Sequence, residues 1–130
     1  MTDFGLALDT AALLAYSLTD LDVGHRIAEA ADHGVNVLVP ALCLANAHQQ
    51  ATPTQWEMLE VLAVLPHVRV TSVEADMCAF LSGWSRRLGE RMDLAQLAMD
   101  AAIHPLVPIV TDRREILGEV LPKEWPIIDL

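Results

Sequence analysis

Short apolar runs alternate with helical patterns along almost the whole chain, and this alternation limits the fold more than any other feature. Four runs have the length of buried strands and a fifth that of an edge strand: LALD (6–9), NVLVP (36–40), HVRVT (67–71), PLVPIVTD (105–112) and WPIID (125–129). Strands that alternate with helices favour a parallel sheet covered by helices. We therefore predict one α/β domain over residues 1–130, with a parallel β-sheet of four to five strands flanked by helices.

Several helices are expected to begin at a capping box, in which a Ser, Thr or Asp is followed three residues later by Glu or Gln. Thr52 and Gln55 form such a pair, and Pro53 occupies the first helical position, which proline favours. Three other pairs fit the same pattern: Thr71 with Glu74, Asp93 with Gln96, and Asp112 with Glu115. They predict helices that run to about Leu88, to about Ile103, and over a short segment after Asp112.

The chain carries a net charge of −10, which argues against binding of nucleic acid through its overall field. Most of its few basic residues nevertheless lie in one stretch: Arg86, Arg87, Arg91, Arg113 and Arg114. Two interpretations stay open for this stretch. The arginines lie on solvated helix faces, or they form a local rim that contacts RNA phosphates.

Nothing in the sequence resembles a membrane or export signal. No apolar run approaches the roughly 20 residues that cross a bilayer, and the first residues include Asp3 but no basic region. Cys43 and Cys78 lie in apolar surroundings without metal-ligand spacing, which predicts buried free thiols. We expect a cytoplasmic protein without a membrane partner.

Acidic residues follow two of the predicted strands. Asp9 ends the first run and Asp112 the fourth, and the carboxyl ends of parallel strands meet at one edge of a sheet. Asp93, at the start of the helix before the fourth strand, is expected to reach the same edge. Carboxylates that converge in this way suit Mg²⁺ or Mn²⁺ and the hydrolysis of phosphodiesters. Thr10 and Thr111 are expected to orient a carboxylate or to hold a water.

Each of these acidic residues also has a purely structural interpretation. Asp9 or Thr10 is a candidate helix N-cap, and Asp93 and Asp112 each begin a capping-box pattern. Asp100 follows Asp93 by two helical turns, roughly 10 Å, which is too far for a shared ion. We expect Asp100 to be solvated or to support the site indirectly.

Three blocks of sequence together resemble the PIN domain, and most closely the small bacterial proteins of the VapC-like toxin type. The blocks are LALDTAALLAY, VLVPALCLANA and MDLAQLAMDAAIHPLVPIVTD, and the likeness extends from Leu6 to Ile128. The resemblance implies a Mg²⁺- or Mn²⁺-dependent endoribonuclease that acts on RNA. It also implies a homodimer and an antitoxin protein that blocks the site.

The acidic positions of the family map onto this chain residue by residue. The first acid of the family corresponds to Asp9, with Thr10 as its hydroxyl neighbour, and the third corresponds to Asp93. The fourth acid lies one or two positions after the Thr of the last block, which is Asp112 or, with the longer spacing, Arg113. The resemblance therefore implies Asp9, Asp93 and Asp112 as metal ligands and catalytic residues.

The second acid of the family is normally a Glu, and this chain has Asn46 at that position. An amide oxygen can bind Mg²⁺ but brings no charge, so Asn46 would be a weakened fourth member of the site. Two functions stay open. The chain is a PIN-type endoribonuclease, or it is a PIN-like binding or regulatory module with little or no catalysis.

Overall fold

A computed structural model describes residues 3–130 and confirms the α/β fold. Within these residues five strands form one sheet: β1 (Phe4–Leu8), β2 (Asn36–Pro40), β3 (Val68–Thr71), β4 (Ile109–Thr111) and β5 (Ile127–Asp129). Their order across the sheet is β3-β2-β1-β4-β5, and all neighbouring strands are parallel. WPIID therefore contributes the predicted edge strand, β5.

Seven α-helices accompany the sheet in the described part of the chain. They are α1 (Thr10–Ser17), α2 (Leu21–Asp32), α3 (Ala41–Gln50), α4 (Pro53–Ala63), α5 (Cys78–Arg87), α6 (Met92–Ala102) and α7 (Arg114–Leu117). A 3-10 turn, Ala75–Met77, precedes α5. Among residues 3–130, none of the helices has both the length and the apolar character that crossing a membrane requires.

The central strands position the carboxyl edge of the sheet. All five residues of β2 are buried, as expected for a central parallel strand that is covered on both faces. Leu8 of β1 is aligned with Val110 of β4, so the next residues, Asp9 and Thr111, lie side by side. Each of β1 and β2 leads into a helix within one residue, which brings the starts of α1 and α3 to this edge.

The predicted capping role of Thr71 is wrong. Thr71 is the last residue of β3 and is aligned with Pro40 of β2, and its hydroxyl donates to the Asp100 carboxylate at 2.6 Å. The following helix therefore begins later, through the 3-10 turn, and α5 ends at Arg87. Thr71 does not cap a helix because its backbone pairs within the sheet and its hydroxyl donates to Asp100 instead of accepting from a later amide.

The predicted capping boxes at Asp93 and at Asp112 are also wrong. Helix α6 begins before Asp93, and Gln96 does not reach back to the start of its own helix. Instead, the Oε1 atom of Gln96 accepts a hydrogen bond from the Leu42 amide at 2.8 Å and thereby caps α3. The residue at the N-cap of α7 is Arg113, and no side chain caps that helix.

The two cysteines are free thiols, as predicted, but only one is buried. Cys43 of α3 is fully buried, and its Sγ atom lies 3.3 Å from the backbone oxygen of Asp93. Cys78 is exposed at the first residue of α5, whose buried face is formed by Leu81 and Ser85. Its predicted burial is therefore wrong.

The capping box of α4 is confirmed, and it makes a direct prediction. Thr52 accepts a hydrogen bond from the Gln55 amide, and the Gln55 side chain accepts one from the Thr52 amide at 2.9 Å. We expect Thr52→Ala to lower the free energy of unfolding by about 1 kcal/mol, because one helix-end amide loses its partner. Urea denaturation followed by circular dichroism measures the loss. The control is Thr54→Ala at an exposed helical position, and equal losses in both variants would contradict the role of the cap.

Candidate functional site

Asp9 follows the last residue of β1 and is the N-cap of α1, which confirms its predicted structural role, while its role as a metal ligand stays a prediction. Its side chain is 1% exposed and lies between β1 and α1. The Oδ1 atom accepts a hydrogen bond from the Ala12 amide at 2.8 Å, and Oδ2 accepts one from the Thr111 hydroxyl at 2.5 Å. Thr111 in turn accepts the Arg113 amide at 2.8 Å, which connects β1 to the segment after β4.

Asp93 is the second buried carboxylate of the site and is 5% exposed. Its two oxygens receive a pair of hydrogen bonds from the guanidinium of Arg91: Nε to Oδ1 at 2.9 Å and Nη2 to Oδ2 at 2.7 Å. Oδ2 also accepts from the Thr10 hydroxyl at 2.7 Å and from Nδ2 of Asn46 at 3.2 Å. Helices α1, α3 and α6 thus meet at one carboxylate.

The other predicted ligand, Asp112, lies at the rim. Its side chain is 47% exposed, and its Oδ1 atom is 3.7 Å from Nε of Arg113. A cleft of about 390 Å³ opens beside it, with polar lining from Thr10, Asn46, Gln50, Arg91, Asp112 and Arg113. The predicted site residues therefore share one edge of the sheet, with two carboxylates buried and one near solvent.

The two buried carboxylates differ in their affinity for a proton. Burial raises the pKa of Asp9 from 3.8 to about 6, the negative charges of Asp112 and Asp93 add to this, and the hydrogen bonds to Asp9 oppose it. Burial also acts to raise the pKa of Asp93, but the hydrogen bonds from Arg91 and Thr10 hold that pKa below its usual value. Asp93 is therefore a stabilised anion, whereas the hydrogen bonds to Asp9 offset only part of the cost of ionising that carboxyl group.

Asp100 is buried, so the alternative that it is solvated is wrong, and indirect support of the site stays a prediction. It is 7% exposed and accepts the Thr71 hydroxyl, and burial raises its pKa. It belongs to a separate polar contact between α6 and the end of β3.

Most of the arginines predicted to contact RNA have partners within the chain. Three of them donate hydrogen bonds: Arg87 to the Glu119 backbone oxygen, Arg91 to Asp93, and Arg114 to Asp129. Arg113 contributes to the cleft beside Asp112, and Arg86 is exposed on α5. Arg91, Arg113 and Arg114 each lie beside a carboxylate, which offsets part of the positive charge available to RNA phosphates, whereas Arg87 keeps its charge because its acceptor is neutral.

The oxygen atoms that could bind a divalent cation are not arranged to do so. Both oxygens of Asp93 face the guanidinium of Arg91, whose positive charge repels a second cation. Asn46 directs its NH₂ group at Asp93, while its amide oxygen accepts from Gln50 at 3.2 Å. In residues 3–130 no three His, Cys, Asp or Glu side chains group closely enough to hold a metal ion. Binding of Mg²⁺ or Mn²⁺ stays a prediction.

The sequence left Arg91 open between a solvated helix face and an RNA-contacting rim, and neither interpretation included its contact with Asp93. The two residues are two positions apart at the start of a helix, and no helical periodicity brings such side chains together. Their contact depends on the bend of the chain before α6. The sequence carried no specific signal for this pair.

Comparison of the chain with protein-family models, curated proteins and solved structures found no match. The fold and the site define an α/β protein with a five-stranded parallel sheet that has the buried carboxylates of Asp9 and Asp93 at its carboxyl edge. Assignment to the PIN family rests on the three sequence blocks and is therefore a proposal.

Proposed function

We propose that this chain is a PIN-like binding or regulatory module that does not cleave RNA. The observation that carries the proposal is the pair of hydrogen bonds between Arg91 and Asp93. They neutralise the carboxylate that would correspond to the third metal-binding acid of a PIN nuclease. The order of the three sequence blocks supports the family, and the parallel sheet is compatible with it.

Asn46 supports the same function. Its NH₂ group donates to Asp93, whereas a Glu at this position would place a second negative charge beside the same carboxylate. The side chain therefore acts as a donor to an anion instead of a ligand to a cation. Asn46 and Arg91 together fit a centre stabilised by hydrogen bonds and an internal ion pair.

A protein partner fits the surface better than RNA does. The chain is acidic overall, and three of the five clustered arginines donate within the chain. Large apolar side chains are exposed on α4 and near the start of α2: Leu18, Leu21, Trp56, Val61 and Val64. Where exposed apolar side chains form a contiguous patch, they favour contact with another protein surface. An antitoxin-like protein and a second copy of the chain are the partners we propose, in a cytoplasmic setting.

Size-exclusion chromatography with light scattering distinguishes between these partners. A dimer at micromolar concentration would support self-association. A monomer would remove the proposed homodimer and leave a different protein as the partner.

The metal-dependent endoribonuclease, acting as the toxin of a toxin–antitoxin pair, is the second candidate. The observation in its favour is that the negative charges of Asp112 and Asp93 both raise the pKa of Asp9, so three carboxylates lie near one another at this edge of the sheet. This function requires Asp93 to give up its present contact with Arg91.

A cleavage assay tests the proposal directly. We expect the purified protein to leave a mixed pool of structured RNA intact in Mg²⁺ or Mn²⁺, because Arg91 neutralises Asp93 and Asn46 lacks a charge. The matched control is Asp9→Asn, which keeps the size of the side chain and removes its charge. Cleavage that needs both the metal and Asp9 would contradict the proposal and establish the nuclease.

A further inference from the structure

The guanidinium group of Arg91 binds the carboxylate of Asp93 through two parallel hydrogen bonds. The Nε and Nη2 atoms each donate to a different carboxylate oxygen, a geometry available to arginine but not to lysine. The arginine side chain is 32% exposed and the aspartate 5% exposed, so one partner is deeply buried and the other reaches solvent. This contact also raises the pKa of the arginine above its already high value.

The backbone before α6 adopts a special conformation that places this arginine. Gly89 and Glu90 have φ angles of 66° and 64°, in the left-handed region. This conformation is easy for Gly89 but costs about 1 kcal/mol or more for a residue with a side chain, such as Glu90. The Glu90 amide donates to the Ser85 backbone oxygen at 2.8 Å, which holds the turn. The chain thus accepts strain immediately before the residue that pairs with Asp93.

Arg91 also lies between two clefts. One, of about 360 Å³, is bordered by Leu42, Gln49 and Glu90, and the other opens towards Asp112. Arg91 and Asn46 line both clefts, so the guanidinium is accessible from solvent while its acceptors are buried.

We propose that Arg91 is the resident cation of this centre and that the position beside Asp93 is a site for a guanidinium group. The chain supplies the guanidinium itself, and a separate metal ion is excluded as long as Arg91 is present. The inference deepens the proposed function, on which it rests, because it assigns to the chain itself the positive charge that neutralises Asp93.

Chemical rescue tests the site. Arg91→Ala removes the guanidinium and opens the space beside Asp93, and we expect its melting temperature to fall by several degrees. About 10 mM methylguanidinium should then raise the melting temperature of this variant by about 3 °C and leave the wild type unchanged. Methylammonium at equal concentration should have no effect, since it lacks the paired donors. Arg86→Ala, at an exposed arginine of α5, is the control and should show neither the fall nor the rescue.

Three results would overturn the proposal. The first is an unchanged melting temperature in Arg91→Ala, and the second is absent rescue or equal rescue by both compounds. The third is a rise of the wild-type melting temperature with Mn²⁺ that Asp93→Asn abolishes, since a metal would then bind beside Arg91. RNA cleavage by the wild type would contradict the proposed function but not a positive rescue. Failed rescue would contradict the proposed role of Arg91, but it would not show that the protein cleaves RNA.

Discussion

Asp9→Asn is expected to make the protein more stable near neutral pH, by about 2–3 kcal/mol in the free energy of unfolding. Asp9 is almost completely buried, and its pKa of about 6 shows that the folded protein disfavours the charged form. Asparagine keeps an oxygen for the Ala12 amide and has an NH₂ group that can donate to Thr111. The variant therefore removes the buried charge while it keeps most of the local hydrogen bonding.

The gain depends on pH in a defined direction. Below about pH 4, Asp9 is protonated in both the folded and the unfolded state, and its burial carries no charge cost. Between about pH 4 and pH 6 the folded state binds a proton that the unfolded state has released, so the contribution of Asp9 to stability falls as pH rises. Above about pH 6 both states are ionised and the cost is complete.

Urea denaturation of wild type and Asp9→Asn across this pH range measures the effect. The difference between the two proteins should be small near about pH 4 and should grow to its full value above about pH 6. A difference that does not change with pH would contradict the raised pKa of Asp9. A variant that is less stable throughout would show that the charge itself stabilises the site.

Asp93→Asn is expected to have the opposite effect, a loss of about 3 kcal/mol near neutral pH. The substitution removes the anion that accepts from Arg91, Thr10 and Asn46. Asparagine offers one oxygen in place of two, which leaves buried donors without a partner. Because Arg91 is partly exposed, we expect the loss in the free energy of unfolding to lie at the lower end of the range for broken buried ion pairs.

The pH dependence of this second effect also has a definite sign. The pKa of Asp93 is lower in the folded protein than its ordinary value of 3.8, so its contribution is present above that value and is lost as pH falls below it. The control is Asp129→Asn, which breaks the exposed pair with Arg114 and should change stability little. Equal losses in both variants would show that burial does not strengthen the contact at Asp93.

The sequence identified the sheet and the approximate position of the site because both follow from local patterns. Apolar runs such as NVLVP are long enough for a buried strand and too short for most helices, so β2 was located to the residue. Parallel pairing then brings Asp9 and the segment around Thr111 to one edge. Strand boundaries near prolines were less well defined: the run 105–112 supplies only Ile109–Thr111 to β4.

The partners of polar side chains could not be read from the sequence in the same way. Thr71, Asp93 and Gln96 all occur in local capping patterns, yet each makes its hydrogen bonds with residues of another element. A cap contributes about 1 kcal/mol, and a buried donor or acceptor left without a partner costs at least as much. Tertiary contacts therefore outweigh the local pattern at these residues.

The sequence alone determined the α/β class, the parallel sheet and the placement of Asp9 at the end of its first strand, since these depend on hydrophobic periodicity and on the direction of the chain. Only the tertiary structure decided the charge state of the site. Burial makes Asp9 an unfavourable anion, whereas the turn at Gly89 and Glu90 brings Arg91 onto Asp93 and makes that residue a favourable one. The physical reason is that the energy of a charge depends on its distance from other charges and from water, and these distances exist only in the folded chain.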